Sequence, residues 1–330
     1  MTQPFPILTP AAVRQRLLDR TELALIDVRE EDPFAQSHPL WAANFPLSKL
    51  ELEAWRRIPR RDTLIVLYGE HEGADLAPLA AGVLQQLGYT NVHQLEGGLA
   101  GWIAAGGEVF RDVNVPSKAF GELVESRRHT PSLPAQDVQA LLDARADVVV
   151  VDARRFDEYQ TMSIPTAISV PGAELVLRIR EIAPDPKTRV IVNCAGRTRS
   201  IIGAQSLINA GIPNPVAALR NGTIGWKLAG QALSHGASCR APVVISADNR
   251  AQAQRGARDI AASTGVRRIA YEELPSLNEQ DRTVYRFDVR TPEEYAEGHL
   301  LDFINTPGGQ LVQETDHYAP VRGARIVLAD

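Results

Sequence analysis

The chain has 330 residues, more than one ordinary hydrophobic core holds, which points to two or three domains. An apolar content of 44% and a charged content of 23% belong to a soluble globular protein, and a net charge of −5 argues against a general nucleic-acid binder. Two cysteines, Cys194 and Cys239, are too few for a disulfide framework and fit a reducing cytoplasm, the opening MTQPFPILTP lacks the regions of a signal peptide, and no apolar run is long enough for a membrane span.

Thr9-Pro10 reads as a helix N-cap followed by proline at the first helical position. Leu17-Leu18 and Leu25-Ile26 continue this into a short helix and a strand, which ends in Asp27-Val28-Arg29. After an irregular stretch to Pro46, residues 63–67 read as a buried strand, 76–87 as a helix stopped by Gly88, and 92–95 as a further strand. That strand runs into Glu96-Gly97-Gly98-Leu99-Ala100-Gly101-Trp102. Residues 111–131, with Pro116, Pro131 and the basic Arg127-Arg128-His129, read as a linker. The plan then repeats with Thr130-Pro131, an apolar 138–142, a strand at 148–151 ending in Asp152-Ala153-Arg154, and Asn221-Gly222-Thr223-Ile224-Gly225-Trp226. A helical pattern over 250–262 precedes a third round, which runs from Val266 through Asp288-Val289-Arg290 and Gly298-His299 to Asp330.

The Asp-x-Arg strand ends fall 125 and 136 residues apart (27 to 152, 152 to 288), and these are domain-sized periods. Alternating strands and helices predict an α/β fold of tandem domains, each a parallel sheet flanked by helices on both faces, with the third copy incomplete. The expected boundaries are 1–112 for the first copy, 113–131 for a linker and 132–240 for the second copy. A second linker with a helix is expected over 241–264, and the N-terminal part of a third copy over 265–330.

Chemistry is concentrated at Thr188–Ala204 in the second copy. Val190-Ile191-Val192 reads as a buried strand and the run from Ile201 as a helix, with Cys194-Ala195-Gly196-Arg197-Thr198-Arg199 looping between them and Ser200 placed to start the helix. Such a loop turns backbone N–H groups inward, beside the partial positive charge of a helix N-terminus, and so binds an anion. Here the anion can be the loop's own thiolate: Arg197, Arg199 and the helix N-terminus are expected to make Cys194 nucleophilic. Lys187, Arg189, Arg197 and Arg199 near only Asp185 make the region locally basic, which favours a small anionic substrate.

This loop resembles the active-site loop of the rhodanese family of sulfurtransferases. The Asp-x-Arg, Gly-His and Gly-Trp features extend the resemblance over nearly the whole chain. The resemblance implies rhodanese-like domains and a transferase of the thiosulfate sulfurtransferase type, with Cys194 taking a sulfane sulfur as a persulfide. Ala195, Gly196, Thr198 and Ser200 would form the cradle, and Arg197 and Arg199 would hold the donor. The implied donor is thiosulfate or a persulfide and the acceptor cyanide, a thiol or a sulfur-carrier protein. No metal or organic cofactor, nucleic acid or membrane is called for, and homo-oligomerisation is left open.

Two other classes compete. Phosphatases and arsenate reductases use a similar Cys…Arg loop, but the related cell-cycle phosphatases resemble His-Cys-x5-Arg. Here Asn193 precedes Cys194 and four residues separate it from Arg199, a loop one residue shorter. A non-catalytic scaffold is suggested by the other copies, yet has no need of an intact Cys194–Ser200 loop. The repeat offsets place Gly69 opposite Cys194 in the first copy, within Tyr68-Gly69-Glu70-His71-Glu72, and Asp330 in the third. By the resemblance both copies are expected to be inactive, and the incomplete third copy makes the chain an N-terminal piece of a longer protein, or a fragment. Glu70-His71-Glu72 reads as a solvated loop rather than a metal site, the Asp-x-Arg pairs as structural, and Cys239 as a surface thiol without a role.

Overall fold

The strands pair in parallel because each is followed by a crossover that must return over the sheet before the next begins. A computed structural model of the chain describes residues 5–71, 73–277 and 281–330. These form two units, Met1–Ser117 together with Ala270–Asp330, and Lys118–Ile269.

In the first unit the first repeat contains β1 (Ile7–Leu8), α1 (Pro10–Asp19), β2 (Ala24–Asp27), α2 (Glu31–Gln36), β3 (Ala42–Asn44), α3 (Leu50–Arg57) and β4 (Ile65–Tyr68). A small antiparallel hairpin follows, β5 (Glu70–His71) with β6 (Ala74–Asp75), then α4 (Ala77–Gln86), β7 (Val92–Leu95) and α5 (Gly98–Ala104). The parallel sheet has the order β1-β7-β4-β2-β3. Period-two alternation sorts its side chains between two cores. Ile26, Ile65 and Leu67 pack with Leu50 and Ala54 of α3 and Ala80 and Leu84 of α4, whereas Leu25 and Val66 pack with Val13 and Leu17 of α1.

The stretch expected as a linker holds α6 (Val115–Arg128). The second repeat follows with β8 (Ser132–Leu133), α7 (Ala135–Asp143), β9 (Val148–Asp152), α8 (Phe156–Thr161), β10 (Ile168–Ser169), α9 (Leu175–Ile182) and β11 (Arg189–Asn193). It ends with α10 (Thr198–Asn209), β12 (Val216–Leu219), α11 (Gly222–Leu228) and, beyond the sheet, α12 (Ala247–Ser263). Its order β10-β9-β11-β12-β8 is the first sheet's order over again. Val190 and Val192 enter the core with α9 and α10, and Ile191 the one with α7 and Trp226.

The third repeat is β13 (Val284–Asp288), α13 (Pro292–Glu297), β14 (Ile304–Asn305), α14 (Gly308–Gln313), α15 (Thr315–Tyr318) and β15 (Arg325–Ala329), with three parallel strands in the order β14-β13-β15. Tyr285, Phe287, Leu311 and Val321 share one core with α3 and α4 of the first repeat. Arg57 is the polar centre of this junction. Its guanidinium donates to the carbonyls of His317 at 2.7 Å and Asn44 at 3.1 Å and to Glu53 at 2.5 Å, while the Tyr285 hydroxyl donates to the Arg57 carbonyl at 2.7 Å. Ile326 and Leu328 on β15 stay exposed.

All three Asp-x-Arg pairs have one structural job. The arginine backbone N–H and Nε donate to the aspartate, and its Nη2 donates to the carbonyl eight residues on, at Ser37, Met162 or Gly298. This brace ties each strand end to the segment that follows its short helix.

Removing the charge at the junction tests its weight. Arg57→Met leaves two part-buried carbonyls without their donor, at a cost of about 2 kcal/mol. Hydrogen exchange read by mass spectrometry is expected to show lost protection in β13 and β15 with none lost in β11. Unchanged protection throughout would show that apolar contact alone holds the third repeat.

Candidate active site

β11 pairs with β9 so that Asn193 lies opposite Asp152, which places Cys194 one residue beyond the strand. The Asn193 amide donates to Asp152 Oδ2 at 2.7 Å and lies 3.3 Å from Thr223 Oγ1, joining the brace of the second repeat to the loop. The loop then turns back sharply, because α11 seizes its carbonyls. Thr223 donates to the Cys194 carbonyl twice, from its N–H at 2.9 Å and its hydroxyl at 3.0 Å, and the Ile224 N–H donates to the Ala195 carbonyl at 3.0 Å. Glycine is required at 222, where φ is +52° and a Cβ would stand 2.2 Å from the Cys194 carbonyl oxygen.

With the carbonyls turned outward, the loop leads into the first turn of α10. The N–H groups of Thr198, Arg199 and Ser200 have no acceptor within that helix, whose first i to i−4 bond runs from Ile201 to the Arg197 carbonyl at 3.1 Å. Cys194 is buried, its Sγ lies 3.5 Å from Ser200 Oγ, and that hydroxyl donates to the Arg197 carbonyl at 2.9 Å. A Cβ built on Gly196 would meet nothing within 4 Å, so the loop is open on that side. Cys194, Ala195, Gly196, Thr198 and Ser200 are thus brought together as one turn around a buried thiol.

The two arginines are held apart. Arg199 forms a two-pronged pair with Glu158 of α8, at 2.7 and 2.8 Å. Burial works against the charge of each partner. Their mutual hydrogen bonds and attraction prevail, raising the Arg199 pKa above its ordinary value, with Cys194 and Asp152 contributing, and lowering that of Glu158. Arg197 turns the other way, to Glu122 at 2.8 Å and to Glu125, both on α6. Sequence reasoning missed Asn193, Gly222, Thr223, Glu122, Glu125 and Glu158. The repeated Gly-Gly and Asn-Gly before each Gly-Trp was a visible signal for Gly222; nothing local marked the carboxylates.

The first repeat has the same frame without a cysteine. Tyr68 lies opposite Asp27 as Asn193 does opposite Asp152, so Gly69 stands where Cys194 does. A Cβ on Gly69 would come within 2.3 Å of Val28 Cγ2. α4 begins eight residues after Gly69, against four between Cys194 and the start of α10, the difference being taken up by the β5–β6 hairpin. Glu70 presses its carboxylate on Gly98, and with Asp75, Glu96 and Tyr68 lines a cavity of about 180 Å³, an acidic counterpart of the basic loop. Glu72 lies outside the described residues. In the third repeat Ala329 lies opposite Asp288, which puts Asp330 at the cysteine position. Among the described residues there is no cluster of potential metal ligands, and no helix is long and apolar enough to cross a membrane.

Comparison with known proteins bears on this arrangement. The profile of the rhodanese-like domain matches residues 9–105 and 134–229. A crystal structure of a thiosulfate sulfurtransferase from Pseudomonas aeruginosa is 67% identical and superposes with a TM-score of 0.96 over 98% of this chain and 62% of that one. This chain therefore spans less than two thirds of that protein's length. A thiosulfate sulfurtransferase of Azotobacter vinelandii is 26% identical over 215 residues, which are 60% of this chain and 78% of the relative. Another from Pseudomonas aeruginosa is 28% identical over 231 residues, 59% of this chain and 84% of the relative.

Two glycines of the site should respond oppositely to one methyl group. Gly222→Ala adds left-handed strain and a clash with the Cys194 carbonyl, destabilising the second unit by about 2 kcal/mol. Gly196→Ala, facing open space, should stay within about 0.5 kcal/mol of the parent. Urea unfolding curves compare them, and equal midpoints would show that the α11 clasp yields freely.

Proposed function

The chain belongs to the family of rhodanese-like domain proteins, and from that premise we propose that it is a sulfurtransferase working through a persulfide on Cys194. The Cys194 thiolate attacks the outer sulfur of thiosulfate; the new S–S bond forms as the old one breaks, and sulfite leaves with the bonding pair. The persulfide's terminal sulfur lies among the N–H groups of residues 196–200, and an acceptor such as cyanide or a thiolate then attacks it, restoring the Cys194 thiolate. Ala195, Gly196, Thr198 and Ser200 shape the cradle, Arg197 meets the anionic donor, and Arg199 holds the loop to α8. The observation that carries the reading is the buried Cys194 beside the first turn of α10, with its carbonyl pinned away by Thr223. Neither a metal nor an organic cofactor enters these steps, and cysteine chemistry of this kind suits a reducing compartment such as the cytoplasm.

The domain reading that goes with this makes 132–240 the catalytic domain, 1–112 a cysteine-less domain, and 265–330 the third repeat, with connections at 113–131 and 241–264.

Thiocyanate formation from thiosulfate and cyanide tests the activity, and Cys194→Ser is expected to reduce it to background. Production near the parent rate would sink the assignment and point to Cys239, which is exposed. Restoring a thiol in the first repeat should not restore chemistry. In the Cys194→Ser, Gly69→Cys double variant the new side chain meets Val28 and Leu76 in a loop lengthened by a hairpin, so intact-mass measurement after thiosulfate should show no gain of one sulfur atom. A gain there would mean that the fold alone activates a thiol.

A further inference from the structure

The helix α6 lies against the catalytic loop rather than passing it by. A Cβ on Gly121 would sit 3.0 Å from Thr198 Cγ2 and 3.3 Å from Thr198 Cα, so the helix backbone approaches the first turn of α10 closely. Glu122 and Glu125 follow at positions that share a face. Both reach Arg197: Glu122 accepts from Nε at 2.8 Å and from Nη2 at 3.0 Å, and Glu125 accepts from Nη2 as well. Together with Glu158 on Arg199, three carboxylates surround the two loop cations.

The two arginines differ in how firmly they are held. The Arg199 side chain is 17% exposed and its partner 28%, whereas Arg197 is 43% exposed, with Glu122 at 59% and Glu125 at 29%. Pairs in solvent are weak and screened, so an anion entering the loop can take Arg197 from its carboxylates. The same carboxylates repel that anion in proportion to its charge.

Resting on the sulfurtransferase reading, we propose that Glu122 and Glu125 are specificity-determining residues that compete with the donor for Arg197 and grade donors by charge. A dianion such as thiosulfate must displace them against the stronger repulsion; a monoanionic thiosulfonate, which offers the same sulfane sulfur, meets about half of it. The site is thereby set toward donors carrying a single negative charge.

The test compares thiosulfate with benzenethiosulfonate, using cyanide as acceptor, in the parent and in Glu122→Gln/Glu125→Gln. The KM for thiosulfate is expected to fall about fivefold to tenfold, that for benzenethiosulfonate by less, and kcat to change less than either. Added salt should shrink the difference between parent and variant. In an Arg197→Gln background the same two substitutions should have little effect. Equal KM values in parent and variant, an equal fall for both donors, or an undiminished effect without Arg197 would each overturn the proposal. If the parent transfers sulfur from neither donor, the sulfurtransferase reading itself fails and this proposal with it, an outcome distinct from all three.

Discussion

The loop from Cys194 to Ser200 depends on one clasp, in which the first turn of α11 takes hold of the carbonyls of Cys194 and Ala195. A strand leaving a parallel sheet has no reason of its own to curl its N–H groups inward. Thr223, giving two hydrogen bonds to one carbonyl, and Ile224, giving one to the next, supply that reason. Once the carbonyls face α11, the side chain of Cys194 faces the start of α10 and Ser200. The same clasp dictates Gly222, because any Cβ there would collide with the oxygen being held.

The three repeats separate what the fold needs from what the chemistry needs. The arginine brace on Asp27, Asp152 and Asp288 is present in all three, including the two without a thiol. It secures strand ends to the chain that follows their short helices. The second repeat has more: a short loop, a cysteine at its base and two arginines in it. The first repeat gives up all of these, lengthening the loop into a hairpin, closing the thiol position with Val28 and placing Glu70 against Gly98.

Much of this was legible in the residues. The Asp-x-Arg offsets predicted the registers seen in the sheets, so that Gly69 and Asp330 do occupy, in their own repeats, the position that Cys194 has in the second. The ends read for 76–87 and 63–67 fall within two residues of α4 at Ala77–Gln86 and β4 at Ile65–Tyr68, whereas the helices over the stretches read at 138–142 and 250–262 begin three residues earlier, at Ala135 and Ala247. Contacts made across long stretches of chain were not legible. The pairs of Arg197 with Glu122 and Glu125 span 75 and 72 residues, and that of Arg57 with His317 spans 260. Pro116 and the basic cluster made 113–131 look like a linker, since the signal of a docked helix lay in one small residue, Gly121. Likewise Arg197 and Arg199 look alike in the sequence, and only the structure separates them, pairing one with Glu122 and Glu125 of α6 and the other with Glu158 of α8.

The central claim is that the turn from Cys194 to Ser200 is a cradle for a sulfur atom bonded to the thiol. The most direct measurement is a crystal structure of the protein after exposure to thiosulfate. The account predicts density for one extra atom on Cys194 Sγ, within hydrogen-bonding distance of the N–H groups at the start of α10, with Gly69 and its surroundings unchanged. An unmodified Cys194 under conditions where the protein turns over thiosulfate would contradict it, as would an added sulfur pointing away from those N–H groups.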